Sequence, residues 1–293
     1  MHCVKRFLRF IAQRTHYVDP VNFQPLEASP EALQRDLEYS LSSSNVYLEN
    51  LPGGRESLQG KKVLEIGPGI NFGLSLILAC HGAEVMVVDR FLIPWDPDYH
   101  PKFYALLRDR LKRDRPQLDL TPLDIIVSQG GYAPESLSLY SCSLEELAAL
   151  PDQFVDIVLS CAVLEHLYDL ASAFAHLARI TKPAGLGLHQ VDFRDHRDFS
   201  RPLEFLLLSD KRFFREFTKH HGECGNRFRP QEMKKLLDLS GFHVKEFQPN
   251  GFTEEKYLAE FTRRLRKARK SRYRDYPAED LRCVGAFFIL EKV

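Results

Sequence analysis

Residues 63–73 read Val-Leu-Glu-Ile-Gly-Pro-Gly-Ile-Asn-Phe-Gly and pass directly into the apolar run 74–80. A strand-type run stops on two closely spaced glycines, and a helix-type run begins five residues after the second. Glycines at such a turn let the backbone bend tightly and let a ligand approach with no Cβ in the way. The helix behind them offers unpaired N–H groups in its first turn. A chain with this unit is expected to alternate strands with helices around a largely parallel sheet.

The rest of the chain keeps that alternation. Residues 85–88 form a second strand-type run ending on Asp89, and 137–141, 154–160, 186–191, 242–247 and 284–290 read as five more. Helix patterns fall at 171–180, stopped by Pro183 and Gly185, and at 230–239, ended by Gly241. An earlier helix starts at Ser29, which can cap, with Pro30 at the first helical position and Leu33, Leu37 and Leu41 on one face. The expectation is an α/β fold, a mostly parallel sheet with helices on both faces. In 293 residues this fits an N-terminal helical segment, 1–58, and one domain, 59–293, with insertions at 91–136 and 248–283. Insertions of this kind are expected to face a ligand.

Composition excludes several classes. A hydrophobic fraction of 44% and a charged fraction of 27% rule out a mostly disordered chain. No apolar run reaches the roughly 18 residues of a membrane span. Forty basic residues balance forty acidic ones, which argues against a nucleic-acid partner. Six scattered cysteines without a C-x-x-C pair fit reduced thiols and a cytoplasmic location.

The glycine loop is not a dinucleotide fingerprint, because Phe72 stands where that pattern needs glycine. Glu65, two residues before Gly67, would repel a pyrophosphate and suits a cationic ligand. Asp89 at the end of the second strand can accept hydrogen bonds from both hydroxyls of a ribose; alone it would read as a turn or cap aspartate.

A third motif follows, Phe154-Val-Asp-Ile-Val-Leu-Ser-Cys-Ala-Val-Leu-Glu-His166. With E-I-G-P-G-x-x-x-G and the acidic end of strand two, in that order and spacing, the chain resembles class I S-adenosylmethionine-dependent methyltransferases. The resemblance covers about 60–90, 137–192 and 230–293. It implies a Rossmann-like seven-stranded sheet with an antiparallel last strand, and S-adenosylmethionine as cofactor. The implied cofactor contacts are Glu65 near the cationic head, the loop Gly67, Gly69 and Gly73, Asp89 on the ribose, and Arg90 beside the adenine. Ser143 and Leu144 match the family's adenine segment, although relatives often carry aspartate at the Ser143 position. Backbone carbonyls near Ser160 and Cys161 would face the amino group and sulfonium.

On the acceptor side, His166 follows strand four, and His189-Gln-Val-Asp192-Phe-Arg194-Asp195-His196 closes strand five. Ligands of open α/β sheets bind at this edge. The Asp192–His196 run is similar to a D-L-R-D-H segment of methyltransferases associated with bacterial surface glycans. The resulting expectation is O-methylation of a sugar or glycan hydroxyl, with His166 or His196 as base. Asp192 and Asp195 support it, and Arg194, His189, Trp95, Tyr99 and His100 bind the acceptor. Packing roles compete with these: a helix cap for Glu165-His166, a small core for the aromatic run 95–101. Alternatives are a lipid, a quinone or another small molecule as acceptor, or a non-catalytic binding protein. No metal is expected: the segment is similar to a metal site of ubiquinone-pathway O-methyltransferases, but Ala162 stands where those carry a further glutamate. His220, His221 and Cys224 read as a loop.

Two basic amphipathic segments remain. Residues 1–17 fit a packing helix, a membrane-surface helix or an organellar transit peptide, and 256–274 fit a helix with a basic face. Either face could meet anionic lipid at the inner membrane surface or a phosphate-bearing acceptor.

Overall fold

The computed structural model describes residues 23–217 and 224–293. The expected helix within 1–17, and His220 and His221, lie outside the described residues.

Strands β1 (Lys62–Ile66), β2 (Glu84–Asp89), β3 (Ser138–Ser141), β4 (Val155–Cys161), β5 (Thr181–Asp192), β6 (Phe242–Phe252) and β7 (Cys283–Lys292) form one sheet in the order β3-β2-β1-β4-β5-β7-β6. All pairs from β3 to β5 are parallel, and β7 runs antiparallel between β5 and β6. This is the Rossmann-like arrangement with an antiparallel last strand that the alternation and the resemblance imply. The chain order reverses between β1 and β4, so a crevice opens at the carboxyl ends of β1, β2 and β4.

Side-chain alternation sorts the strands into two cores. Val63, Val85, Val87, Ile157 and Leu159 face helices α1 (Pro30–Glu49), α2 (Gly73–Cys80), α3 (His100–Asp114) and α4 (Thr121–Gln129). Leu64, Met86, Val88, Val158 and Val191 face α5 (Leu170–Ile180) and α7 (Pro230–Leu239). A third cluster, under the carboxyl edge of β5, joins Phe213 and Phe217 of α6 (Asp210–Phe217), Phe261 and Leu265 of α8 (Glu255–Lys267), and Leu281 of the short α9 (Ala278–Arg282). Ser29 caps α1 by accepting the Ala32 N–H at 3.2 Å, as its sequence position predicts.

Three boundaries differ from expectation. Pro183 and Gly185 lie inside β5, which starts at Thr181 directly after α5; the pairing with β4 shifts register between Val155 and Ile157 and so absorbs them. β6 runs on to Phe252, so the second insertion starts later than residue 248. It is an edge strand with three irregularities, which is where Pro249 and Gly251 are tolerated. α8 stops at Lys267 instead of continuing to 274, because Ser271 and Tyr273 turn inward. Ser271 Oγ donates to the Leu206 carbonyl at 2.6 Å, and Tyr273 is buried in the third cluster. Lys256, Arg263, Arg266 and Lys267 are exposed, whereas Arg264 is paired to Glu204 at 2.9 Å. No described helix is long and apolar enough to cross a membrane.

The insertion 91–136 is corrected most strongly. It supplies α3 and α4, whose Phe103, Leu107, Leu123 and Ile126 are buried with Leu37 of α1 and Leu76 of α2. It belongs mainly to the core, and its first residue, Phe91, also lines the cleft at the carboxyl ends of the strands.

Candidate functional site

The crevice predicted by strand order is present as a cleft of about 400 Å³. Gly67, Gly69, Asp89, Arg90, Phe91, Ser143, Leu144, Glu145, Cys161 and His166 are among its walls. The glycine loop is left-handed at both cleft glycines, with φ of +67° at Gly67 and +71° at Gly69. A Cβ on Gly67 would lie 2.4 Å from Val163 Cγ2, whereas one on Gly69 would meet nothing within 4 Å. The first glycine therefore lets β1 and the β4 loop approach each other, and the second leaves open space for a ligand.

The loop is fixed from behind. Asn71 Oδ1 accepts the Gly73 N–H at 3.0 Å, and Asn71 Nδ2 donates to Tyr99 Oη at 3.2 Å. His100 Nδ1 accepts the Asp96 N–H at 2.7 Å, so Nε2 carries the proton and donates to the Ile70 carbonyl at 2.9 Å. Phe72, itself left-handed at φ +52°, packs against Tyr132 with ring centroids 4.8 Å apart. Trp95 stacks on His100 at 5.1 Å. Trp95, Tyr99 and His100 thus do not reach an acceptor: Tyr99 and His100 are fully buried in an aromatic buttress under the glycine loop. Burial pushes the His100 pKa down, despite the Ile70 and Asp96 contacts.

Three other expected cofactor contacts are engaged within the fold. Gly73 is the first residue of α2, and a Cβ there would lie 2.2 Å from Ser40 Oγ of α1, so it serves helix packing. Glu65 is buried and hydrogen-bonded by Ser75 Oγ; burial raises its pKa to about 7, partly offset by Ser75. Its carboxyl is held behind the loop and away from the cleft wall. The Ser160 carbonyl accepts Tyr47 Oη at 2.6 Å, which ties α1 to the end of β4. Arg90 lines the cleft, and its guanidinium donates to Ser143 Oγ and Glu145 Oε2, both at 2.8 Å.

Asp89 and Leu144 stand at the cleft. Asp89 Oδ1 accepts the Phe91 N–H at 2.7 Å, and burial raises its pKa against that bond and the Arg90 charge. Cys161 also lines the cleft, 3.7 Å from Tyr39 Oη, and burial pushes its thiol up. Sequence reasoning missed Glu145 as an organiser. Buried, it binds Arg90 and accepts the N–H groups of Tyr168 and Asp169 at 2.6 and 2.7 Å, joining β2, the 143–146 turn and the start of α5. Its signal was the Ser-x-Glu spacing of a cap.

The acceptor edge converges in part. His166 and His196 have ring centroids 4.9 Å apart, and His196 Nε2 lies 3.6 Å from Asp192 Oδ2. Arg194 Nη2 pairs with Asp192 Oδ2 at 2.6 Å. Burial opposes the charge of Asp192, but the bonds from His196 and Arg194 outweigh it and hold the carboxyl well below the usual range. Asp195 does not support His196; it is buried against Arg197 at 3.2 Å. Asn226, also missed, fixes the Glu165-His166 turn by donating to the Leu164 and Leu167 carbonyls at 2.7 and 2.9 Å. Cys224 is buried and donates to the Arg194 carbonyl at 3.2 Å.

His189 is corrected from acceptor contact to core residue. It is 1% exposed and pairs with Ser160 Oγ at 2.8 Å, and burial lowers its pKa to about 4. The fold accommodates the neutral ring, while in the unfolded chain the imidazole titrates near its ordinary value of about 6.5. This contribution to stability is full above that pH and is lost as pH falls toward 4. Relative to His189→Leu, the wild type is expected to lose about 2 kcal/mol between pH 7 and 5. Urea unfolding at the two pH values checks this; an equal change in both proteins contradicts it.

A second cavity of about 750 Å³ meets the cleft at Ala162. Asp192, Arg194, Gln190, Asn250, Thr253 and Tyr257 line it. Phe199 and Phe252, also in its wall, are 55% and 58% exposed, so two aromatic faces are available at its mouth.

A mostly parallel sheet with a glycine loop and an acidic strand end at its crevice is the arrangement that the resemblance to S-adenosylmethionine-dependent methyltransferases implies. The chain belongs to the family described as methyltransferase domain, which matches residues 34–246. A solved S-adenosylmethionine-dependent methyltransferase from Mesorhizobium loti is similar in fold, with a TM-score of 0.50 at 13% identity, covering 89% of this chain and 100% of that one. Geranyl diphosphate C-methyltransferase from Streptomyces coelicolor, solved with Mg²⁺, geranyl diphosphate and S-adenosylhomocysteine, has a TM-score of 0.48 at 10% identity, covering 99% and 98%. A methyltransferase from Methanosarcina mazei has a TM-score of 0.47 at 15% identity, covering 80% and 93%. No curated protein matches the chain. S-adenosylmethionine is the cofactor, and the open space before Gly69 suits a ligand of its class.

Proposed function

We propose that this methyltransferase modifies a hydroxyl of a sugar or glycan held in the second cavity. The observation that carries this is the cavity's lining beside the donor cleft: a paired carboxylate and guanidinium, two side-chain amides and two exposed aromatic faces. Aromatic faces suit the apolar faces of sugar rings, and fixed polar groups suit their hydroxyls. Thr253 Oγ1, buried in the same wall, has no hydrogen-bond partner, which an acceptor hydroxyl would satisfy.

When bound, S-adenosylmethionine supplies an electrophilic methyl group. The backbone at Gly67 and Gly69 would receive its amino-acid portion, the free oxygen of Asp89 its ribose, and the Ser143–Leu144 turn its adenine. Asp192 and Arg194 orient the acceptor. Its hydroxyl oxygen forms the new bond to carbon as the carbon–sulfur bond breaks, and its proton passes to the imidazole of His166 or His196. In-line displacement makes positioning a large part of the catalysis.

Incubation with methyl-labelled S-adenosylmethionine and a panel of sugars, glycolipids and quinones tests this. Label on a sugar oxygen is expected. Label on quinones or lipid tails alone would overturn it.

A further inference from the structure

We propose that Glu165, His166 and His196 form a binding site for a divalent transition-metal ion, zinc by its donor set, beside the cleft that His166 lines. Their ligand atoms lie within 4.8 Å of one another. Two of the three side chains carry buried polar atoms without a well-formed hydrogen bond. Glu165 is 4% exposed, and among the described residues neither of its carboxylate oxygens makes a well-formed hydrogen bond, the Glu165 and Asp192 N–H groups being the donors nearby. His196 Nε2 is likewise buried, and among the described residues its contact to Asp192 Oδ2 is a long one, at 3.6 Å, that leaves it short of a well-formed hydrogen bond.

Charge points the same way. Arg194 is paired to Asp192 and acts on Glu165 only through its charge, and no cationic side chain among the described residues is hydrogen-bonded to the Glu165 carboxylate. An isolated buried carboxylate is costly unless it is neutralised or coordinates a cation. One carboxylate and two imidazoles suit zinc and its neighbours, whereas magnesium and calcium take oxygen ligands. Ligand atoms about 2.0–2.1 Å from a tetrahedral ion stand about 3.3 Å apart, so side-chain rotation must close the group by up to about 1.5 Å.

The backbone already holds two of the ligands. The Glu165 carbonyl accepts the Gly225 N–H at 2.9 Å, and Asn226 binds the carbonyls on either side of the pair. A Cβ on Gly225 would lie 2.1 Å from the His166 carbonyl, so this close contact requires glycine. Three protein ligands leave one position open, the arrangement of catalytic rather than structural zinc. His166 lines the donor cleft, so that position lies beside it. An acceptor hydroxyl bound there would be acidified by the ion, which would take over the task of a free imidazole base. That purpose rests on the methyl-transfer reading; the binding itself does not.

The full chain, stripped with chelator and dialysed, is titrated with Zn²⁺ and separately with Co²⁺, the latter followed by visible absorption. One ion per chain and intense tetrahedral cobalt bands are expected, both lost in His196→Ala and in Glu165→Gln and retained in His220→Ala/His221→Ala. Mg²⁺ should give neither. S-adenosylhomocysteine titration of each variant shows that it remains folded. Absence of binding, or bands unchanged in both site variants, would overturn the metal site. In that case intact S-adenosylhomocysteine binding leaves the methyltransferase reading standing, and cobalt bands without it would overturn that reading instead.

Discussion

Gly67→Val is expected to weaken S-adenosylhomocysteine binding by about 100-fold or more, a cost of at least about 2.7 kcal/mol. Two effects act together. Residue 67 sits at φ +67°, where a β-branched side chain costs on the order of 1–3 kcal/mol. Its Cβ would also lie 2.4 Å from Val163 Cγ2, so the loop after β4 must move and the cleft wall with it. Gly69→Ala provides the contrast: the same left-handed backbone, but open space for the Cβ. Calorimetry on both variants checks the comparison. Equal affinity of Gly67→Val and wild type would remove this loop from the binding site.

His166→Ala and His196→Ala are expected to lower turnover by about 10²–10⁴-fold each while leaving cofactor affinity unchanged. The two rings meet 4.9 Å apart, and His166 lines the cleft, which meets the second cavity at Ala162. Single-turnover rates with a labelled methyl donor, beside S-adenosylhomocysteine titration, separate chemistry from binding. Wild-type turnover in both variants would place the proton acceptor elsewhere.

Much of the fold was legible because its signals are local. Short apolar runs broken by glycine marked the strands, and Ser29 with Pro30 marked the start of α1. The donor cleft was legible for the same reason: Gly67, Gly69 and Asp89 stand at strand ends that the pattern locates directly. What was not legible depended on long-range packing. Tyr99 and His100 look like ligand-binding groups in sequence, yet α3 folds them under the glycine loop, 30 residues from the Ile70 carbonyl that His100 holds. His189 looks polar and available, but its strand neighbour Ser160 supplies the partner that lets it sit in the core. Gly73 fits a cofactor motif by spacing, and only the approach of Ser40 shows what its missing side chain accommodates. Asp195 and Asp192 are equivalent in sequence; Arg197 takes one and His196 approaches the other.

The central claim is that this chain holds S-adenosylmethionine in the crevice between β1, β2 and β4. The most direct test is calorimetric titration of S-adenosylhomocysteine into the wild type and Asp89→Ala. Asp89 Oδ1 is committed to the Phe91 N–H, and the other carboxylate oxygen is left for the ribose. The wild type should bind one molecule per chain, and loss of a charge-assisted bond should cost about 1.5–3 kcal/mol, roughly a tenfold to hundredfold weakening. Absence of binding by the wild type, or the same affinity in Asp89→Ala, would contradict the account.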